Sequence, residues 1–202
     1  MGKRADDKAE TRHRIISAAS QIIRRDGIAG LKVTDVMAAA NLTHGAFYAH
    51  FSDKNELIEA AFHKALDHRE SWMGSARKRP PEERLNHLLE TYLTPTHRDT
   101  PEQGCAFSTL AREFAQAGGT FPKTFEQEFN ISVEQLSALL QDDATPGARQ
   151  TALGVLSLCV GGMVLARAVD DQTLSNDVLK AAVNFGDRHS QRTPPNIERK
   201  TT

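Results

Sequence analysis

The chain has 202 residues, of which 39% are hydrophobic, and a formal net charge of −1. This length is sufficient for one or two domains with a buried core. Two cysteines with no preceding signal peptide exclude a disulfide-stabilised secreted domain, and the lack of an uninterrupted apolar run of about 18 residues argues against a membrane span. We therefore expect a soluble, cytoplasmic protein.

Charge is distributed unevenly along the chain. Residues 1–80 contain 14 Lys and Arg against 10 Asp and Glu, a net of +4, whereas residues 81–202 contain 11 against 16, a net of −5. The N-terminal part is therefore the candidate for nucleic-acid binding. Its first nine residues are charged and lack large apolar side chains, which predicts a mobile arm. Lys3 and Arg4 in this arm either contact phosphates or belong to a solvated tail without a partner.

The first predicted helix runs from Glu10 to Arg25, with apolar residues at helical spacing, and Asp26-Gly27 ends it. Two short helices follow within residues 31–54. Asp35–Ala40 is rich in helix formers, and Asn41 tolerates the left-handed conformation of a helix end. The spacing of the two short helices predicts a helix-turn-helix.

The second short helix is predicted from His44 to His50. Thr43 is the candidate N-cap of this helix, and Thr34 the candidate cap of the helix before it. Leu42, Phe47 and Phe51 can bury one stripe, which leaves a face of small and hydrogen-bonding residues outward. Such a face suits DNA, because donors hold phosphates and small side chains enter the major groove. The alternative is an ordinary surface helix. The outward residues are His44, Gly45, Ala46, Tyr48, Ala49 and His50.

Six helices after residue 50 complete a predicted all-α fold of about nine helices without strands. Ser52 or Asp53 is predicted to cap a helix that begins at Lys54, where a cation in the first turn suggests an anionic partner. The predicted segments are helices at 54–76, 81–93, 105–117, 121–141, 149–169 and 174–189, a loop at 94–103, and a polar tail from residue 190.

The predicted helix at 149–169 carries information about assembly. It is apolar on more than one side and contains three glycines, so two of its faces need cover. We expect one face to pair with a second subunit around a two-fold axis, together with helix 174–189; the alternative is a central helix of a monomer. The residues that suggest pairing are Leu153, Gly154, Leu156, Val160, Gly161, Gly162, Met163, Val164, Ala168, Leu179, Ala182, Val183 and Phe185.

The helix-turn-helix segment resembles the signature of the TetR family of bacterial transcriptional repressors, I-A-x-x-A-G-V-S-x-G-x-x-Y-x-H-F-x-x-K-x-x-L. Met37 and Asn41 depart from the usual Ala and Gly. The resemblance implies a three-helix DNA-binding head at 1–54, with its middle helix beginning near Lys32 or Val33. It also implies a helical effector-binding and dimerisation domain at 55–202. The matching residues are Val36, Ala40, Leu42, Thr43, Gly45, Phe47, Tyr48, His50, Phe51, Lys54 and Leu57.

In the family, the second domain binds a small molecule that releases the head from a palindromic operator. The resemblance therefore implies a homodimer on double-stranded DNA. The predicted contacts are Thr34, Thr43, Tyr48, His50 and Lys54 toward phosphates, and His44, Gly45, Ala46 and Ala49 toward base edges.

Cys105 follows Gly104 and is predicted to lie in the first turn of a helix, where the helix dipole favours a thiolate. The surrounding segment is similar to the Gly-Cys segment of TetR-type repressors that sense electrophiles, including the N-ethylmaleimide reductase repressor subgroup. A buried structural cysteine is the alternative. The other candidates for the effector site are the aromatic residues Trp72, Tyr92, Phe107, Phe114, Phe125 and Phe129, each of which can also be core.

Enzymatic function is not expected. The sequence has no His-Glu-x-x-His motif, no paired cysteine ligands, no phosphate-binding glycine loop and no nucleophile elbow. No metal or cofactor is predicted. A helical ligand carrier or adaptor, and less so a cysteine-dependent enzyme, remain as rival functions.

Overall fold

The structure is a computed structural model that describes residues 2–140 and 147–190, with the side chains of residues 6–140 and 147–186. Within these residues the fold is all-α, as predicted, with ten α-helices and two 3-10 helices. The side chains of Lys3 and Arg4, and residues 191–202 of the predicted tail, lie outside this description. The α-helices are α1 (Gly2–Gly30), α2 (Val33–Ala39), α3 (Lys54–Ala65), α4 (His68–Arg77), α5 (Pro81–Tyr92), α6 (Pro95–Asp99), α7 (Phe107–Ala117), α8 (Phe121–Leu140), α9 (Ala148–Ala168) and α10 (Gln172–Ser190); the 3-10 helices are His44–Ala49 and Pro101–Gln103.

Helix α1 is longer than predicted at its start and broken where predicted. It begins at Gly2, so the expected arm is helical from the second residue onward. Exposed charged residues are adequate helix formers and need no apolar partner to extend a helix into solvent. Gly27 has φ of 74°, which interrupts the helical backbone before one further turn. This positive φ favours glycine, and a side chain there would also displace the end of the Glu113 side chain.

The helix-turn-helix is formed by α2 and the 3-10 helix His44–Ala49. Asn41 has φ of 56°, as expected for the residue after a helix. Helix α2 begins at Val33, so Thr34 lies inside the helix and the prediction that it caps the helix is wrong. Thr43 does occupy the N-cap position, but its hydroxyl accepts no backbone hydrogen bond. The second helix is 3-10 instead of α because its backbone bonds join residues three apart, as in Ala46 N–H to the Thr43 carbonyl.

Two segments after the head differ from the prediction. The expected helix 54–76 is broken between Ala65 and His68, where backbone bonds between residues three apart tighten the chain into a turn. Asp53 caps α3, as predicted, by accepting from the Glu56 N–H at 2.9 Å. The expected loop at 94–103 contains α6, because the Thr94 hydroxyl accepts from the His97 N–H at 3.1 Å and Pro95 occupies the first helical position.

Two hydrophobic cores are present among the described residues. The first joins α1, α2, the 3-10 helix and α3 to α7, and includes Phe62 against Phe114 with ring centroids 4.3 Å apart. The second lies between α4, α5, α8, α9 and α10. Helix α3 therefore packs with the head core, although the predicted boundary after residue 54 assigns it to the second domain.

Helix α9 is the central helix of the second domain. Its buried face contacts α5, α8 and α10. Glycines permit close approach here: a side-chain carbon added at Gly162 of α9 would lie 3.0 Å from Leu93, and one added at Gly186 of α10 would lie 2.3 Å from Leu89. By length and composition α9 is apolar enough to cross a membrane, a test that core helices of soluble proteins also pass. Only 39% of that stretch is buried, which leaves an apolar outer face.

Candidate nucleic-acid interface and sensor cleft

The 3-10 helix is held on the head by aromatic and cationic contacts. Phe47 and Phe51 are buried and stack with ring centroids 5.6 Å apart. The Arg12 guanidinium lies 4.7 Å from the centre of the Phe51 ring and forms an ion pair with Glu56 at 3.1 Å. Arg14 donates to the Ala40 carbonyl, which ties α1 to the turn. These contacts fix the 3-10 helix relative to α1 and α3.

The outer face of the head presents the side chains that the sequence predicts for DNA. Tyr48 is 70% exposed, and its ring meets that of His44 edge-on with centroids 6.4 Å apart. No described atom lies within 4 Å of the position a side chain would occupy at Gly45, so this part of the face is open. The other exposed members of the predicted set are Thr34, Thr43 and Ala49.

Three of the predicted contact residues are partly buried or already hydrogen-bonded within the head. Ala46 is half-buried against the head core. His50 is also half-buried, its Nδ1 has no hydrogen-bond partner in the described residues, and burial with the nearby charges of Lys8 and Arg12 lowers its pKa. Lys54 Nζ lies 3.4 Å from the Ile28 carbonyl, which uses one of its three donors.

Four of the seven predicted sensor residues lie around one cleft, here called the aromatic cleft. Trp72, Tyr92, Cys105 and Phe107 line it with residues of the α3–α4 turn, including Leu66 and His68. The cleft contains only about 30 Å³ of space, enough for a water molecule but far below the ~300 Å³ of a typical small-molecule site. An effector of ordinary size therefore has to open it.

Phe114, Phe125 and Phe129 do not line the aromatic cleft. Phe114 and Phe125 stack around Phe62 in the head core, and Phe129 packs against Phe107 with centroids 5.6 Å apart. Aromatic residues at helical spacing along α7 and α8 therefore form the contact between the two domains.

Cys105 lies before α7 instead of in its first turn, because the helix begins at Phe107. The half-buried Cys105 donates its backbone N–H to His97 Nε2 at 2.9 Å, and the preceding Gly104 carbonyl accepts from Arg24 at 3.0 Å. A side chain at Gly104 would lie 2.7 Å from the His97 ring and 3.2 Å from Arg167. The Gly-Cys pair is therefore a tight packing junction between the head and the second domain.

His97 is the central polar side chain of this junction, and the sequence did not predict it as a functional residue. It is 9% exposed, and its Nδ1 donates to the Tyr92 carbonyl at 2.7 Å while Nε2 accepts from Cys105. These two bonds require the neutral ring with its proton on Nδ1. Burial, with further contributions from Arg167 and His68, lowers the pKa of His97 to about 4. The only sequence signal is its position three residues after the Thr94 cap.

Two more groups beside the cleft have perturbed surroundings. Tyr92 Oη is buried without a hydrogen-bond partner among the described atoms, and burial raises the pKa of Tyr92, with Cys105 adding to the effect. Cys159 is fully buried, and burial raises the pKa of its thiol. Cys159 lies within the apolar helix α9, and its burial indicates a structural role in the second core. The described residues contain no cluster of His, Cys, Asp or Glu that could hold a metal.

Fold and head geometry define the class of protein: a helix-turn-helix head on a larger helical domain. Residues 15–61 match the family model "Bacterial regulatory proteins, tetR family". The chain is 38% identical over 72 residues to the HTH-type transcriptional regulator TtgR of Pseudomonas putida, which covers 34% of each chain. It is 31% identical over 90 residues to the HTH-type transcriptional repressor BepR of Brucella suis, covering 45% of this chain and 43% of that one. The matched segments thus span less than half of these relatives.

Solved structures extend the likeness to the whole fold. A TetR-family regulator from Cytophaga hutchinsonii has a TM-score of 0.74 at 20% identity, covering 89% of this chain and 94% of that one. The reduced form of E. coli NemR has a TM-score of 0.72 at 16% identity, covering 92% and 99%. At these low sequence identities the likeness shows a shared fold and nothing about function. Residues 15–61 are therefore similar to the DNA-binding head of the TetR family, and the whole fold is similar to that of solved TetR-family structures. The proteins that the chain matches are transcriptional regulators and not enzymes.

Proposed function

We propose that the protein is a dimeric, DNA-binding transcriptional repressor that leaves a palindromic operator when a small molecule or an electrophile binds beside Cys105. The observation that carries DNA binding is the exposed face of the 3-10 helix, with Tyr48 and His44 outward and Phe47 and Phe51 locked beneath. Tyr48 and Lys54 hold phosphates, while the open surface at Gly45 lets the helix approach base edges.

The outer face of α9 supports assembly as a homodimer. Val164 is 44% exposed and Leu165 58% exposed, and Phe185 of α10 is 54% exposed. The exposed Gly154 and half-buried Gly161 have no described atom near the position of a side chain, so a second helix can approach closely there. Leu179 and Ala182, predicted for this face, are instead buried within the subunit, and Leu156 and Met163 lie on the buried face of α9. Reading two half-sites of a palindrome requires that such a dimer hold its two heads about 34 Å apart.

Release follows from the position of the aromatic cleft. The cleft is small, and its wall includes Leu66, in the turn after the head helix α3, and His68, the first residue of α4. A molecule that opens the cleft must displace α4 or this turn, and α3 carries Lys54 at its other end. Only a molecule that binds the opened state more tightly changes DNA affinity.

Cys105 is the proposed covalent contact for an electrophile. Its thiol borders the aromatic cleft and is half-buried, whereas Cys159 is sealed in the second core. An adduct on Cys105 would occupy a cleft of about 30 Å³ and open it by its volume alone.

The experiment is a gel shift with the DNA that separates this gene from its neighbour, at moderate and raised salt. Wild type is expected to bind, and Tyr48→Phe and Lys54→Ala are expected to bind more weakly with a smaller salt dependence. Lys123→Ala, which removes an exposed lysine from α8, is the matched control and should bind as wild type. Equal binding by all four proteins would contradict the proposed interface.

A second arm tests the sensor. Adding N-ethylmaleimide is expected to release DNA from wild type and from Cys159→Ala, but not from Cys105→Ala, which still binds DNA. Normal release from Cys105→Ala would remove Cys105 as the sensor. Tight ligand binding with no DNA binding by any variant would favour the rival function, a helical ligand carrier or adaptor.

A further inference from the structure

Two half-buried arginines near the Gly-Cys junction have neutral hydrogen-bond partners among the described residues. Arg24 donates to the Ser20 and Gly104 carbonyls, both at 3.0 Å. Arg167 donates to the His97 carbonyl at 2.7 Å, to the Arg98 carbonyl at 3.1 Å and to the Ser108 hydroxyl at 3.1 Å. In the part of the chain that the structure describes, neither forms an ion pair within 4.0 Å, unlike Arg12, Arg25, Arg69, Arg77 and Arg98.

Unpaired cations at partly buried positions are costly. Desolvation is the main cause that lowers the pKa of both Arg24 and Arg167. Glu102 opposes this effect at both residues, and Asp99 at Arg167, but each acts from beyond ion-pair distance, and Asp99 is bound by Arg98 at 2.6 Å. Guanidiniums retained in such surroundings are suited to a charged partner that comes from outside the chain.

Both arginines line the same open cleft, here called the arginine cleft. It has a volume of about 330 Å³, which lies within the range of small-molecule sites, and is separate from the aromatic cleft. Its wall combines three cations with two hydroxyls from the first turn of α7, a helix of 11 residues whose N-terminal dipole also favours anions. The lining residues are Arg24, Arg25, Pro101, Ser108, Thr109, Val164, Arg167 and Ala168.

We propose that the arginine cleft binds a small molecule with a carboxylate or phosphate group. The oxyanion lies between the Arg24 and Arg167 guanidiniums, and an apolar part lies against Val164 and Ala168. Arg25, whose side chain is 57% exposed and pairs with the Asp26 carboxylate at 2.8 Å, lies at the mouth of the cleft, where its charge is partly offset. The fork geometry of guanidinium groups matches both oxyanions, so these residues select an anionic group of either kind.

The bound molecule would join the head to the dimerisation helix. Arg24 and Arg25 belong to α1, whereas Arg167 belongs to α9, whose exposed Val164 is also part of the proposed dimer face. Anion binding itself is independent of the proposed function. Its consequence, a change in the orientation of the heads and hence in operator affinity, rests on that function.

The test measures binding without DNA, so its result is independent of repression. Inorganic phosphate, benzoate and phenyl phosphate are titrated to about 10 mM, at ionic strength held constant with sodium chloride, and binding is followed by calorimetry and thermal shift. We expect saturable binding, with the carboxylate and phosphate arms distinguishing the preferred oxyanion. Arg167→Gln should weaken binding at least about tenfold, as expected for loss of charge-assisted hydrogen bonds.

Two further variants keep the test decisive if Arg167→Gln does not fold. Arg25→Gln changes an exposed side chain and should weaken binding about threefold through loss of local charge. Arg112→Gln, which removes an exposed arginine from the same helix α7, is the control and should bind as wild type. No saturable binding of any probe, equal stabilisation by sodium chloride, or equal weakening by Arg112→Gln would overturn the proposal.

Discussion

Replacing His97 tests the junction at which this residue hydrogen-bonds Cys105, Tyr92 and Arg167 of helix α9. In the folded protein the ring is neutral, because Nδ1 donates to Tyr92 and Nε2 accepts from the Cys105 N–H. The pKa of His97 is lowered from 6.5 to about 4, chiefly by burial. The unfolded chain therefore binds a proton at this histidine at higher pH than the folded chain does.

The sign of the pH effect follows from this difference. Between about pH 6.5 and about pH 4 the unfolded state binds more protons, so acid destabilises the fold and the contribution of His97 falls as pH falls. At pH 5 the two pKa values correspond to a loss of roughly 2 kcal/mol relative to neutral pH. His97→Gln keeps an acceptor and a donor near the same positions but cannot titrate, so this loss should disappear.

The assay is urea unfolding at several pH values between about 7.5 and about 5. As pH falls across this interval, the free energy of unfolding of wild type should decrease by roughly 2 kcal/mol more than that of His97→Gln. His13→Gln, at an exposed position on α1, is the control and should give a curve parallel to wild type. Parallel curves for wild type and His97→Gln would show that His97 is not held neutral, and would refute the junction as described.

Three other predictions follow from packing and exposure. Gly104→Ala should cost about 2–4 kcal/mol in urea unfolding because its side chain meets the His97 ring, whereas Gly74→Ala, with open space around it, should stabilise α4 by roughly 0.5–1 kcal/mol. Leu165→Lys should convert a dimer to a monomer in light scattering, while Ile131→Lys on α8 should not; dimeric Leu165→Lys would contradict the α9 interface. Maleimide should label Cys105 in the native protein and Cys159 only after unfolding, so early labelling of Cys105→Ala would contradict the burial of Cys159.

The head could be predicted closely from sequence because its constraints are local. Asn41 and Gly27 adopt the positive φ that their residue types permit, Asp53 caps the next helix, and Phe47 and Phe51 stack as their spacing indicates. The sequence predicted a short helix here but not its 3-10 type, because the backbone of a six-residue helix packed on a core is set by tertiary packing more than by propensity.

The sensor region was harder to predict because its contacts join residues distant along the chain. Cys105 lies beside Trp72 and Tyr92, two of the other effector-site candidates, because of the bend around His97 and not because of a position in the first turn of a helix. The separation of Phe114 and Phe125 from the cleft depends on how α7 and α8 pack on α3. The arginine cleft brings together residues from α1, α7 and α9, and no local spacing in the sequence indicates that convergence.

The central claim, that the exposed 3-10 helix face of a dimer binds operator DNA, is tested most directly by selection of binding sites. Wild type, Tyr48→Phe and Lys123→Ala are each used to enrich a random pool of double-stranded DNA. Wild type and Lys123→Ala are expected to enrich one palindrome with half-sites about one helical turn apart, or a multiple of it, and Tyr48→Phe to enrich it less. Failure of wild type to enrich any shared sequence, or equal enrichment by Tyr48→Phe, would contradict the claim.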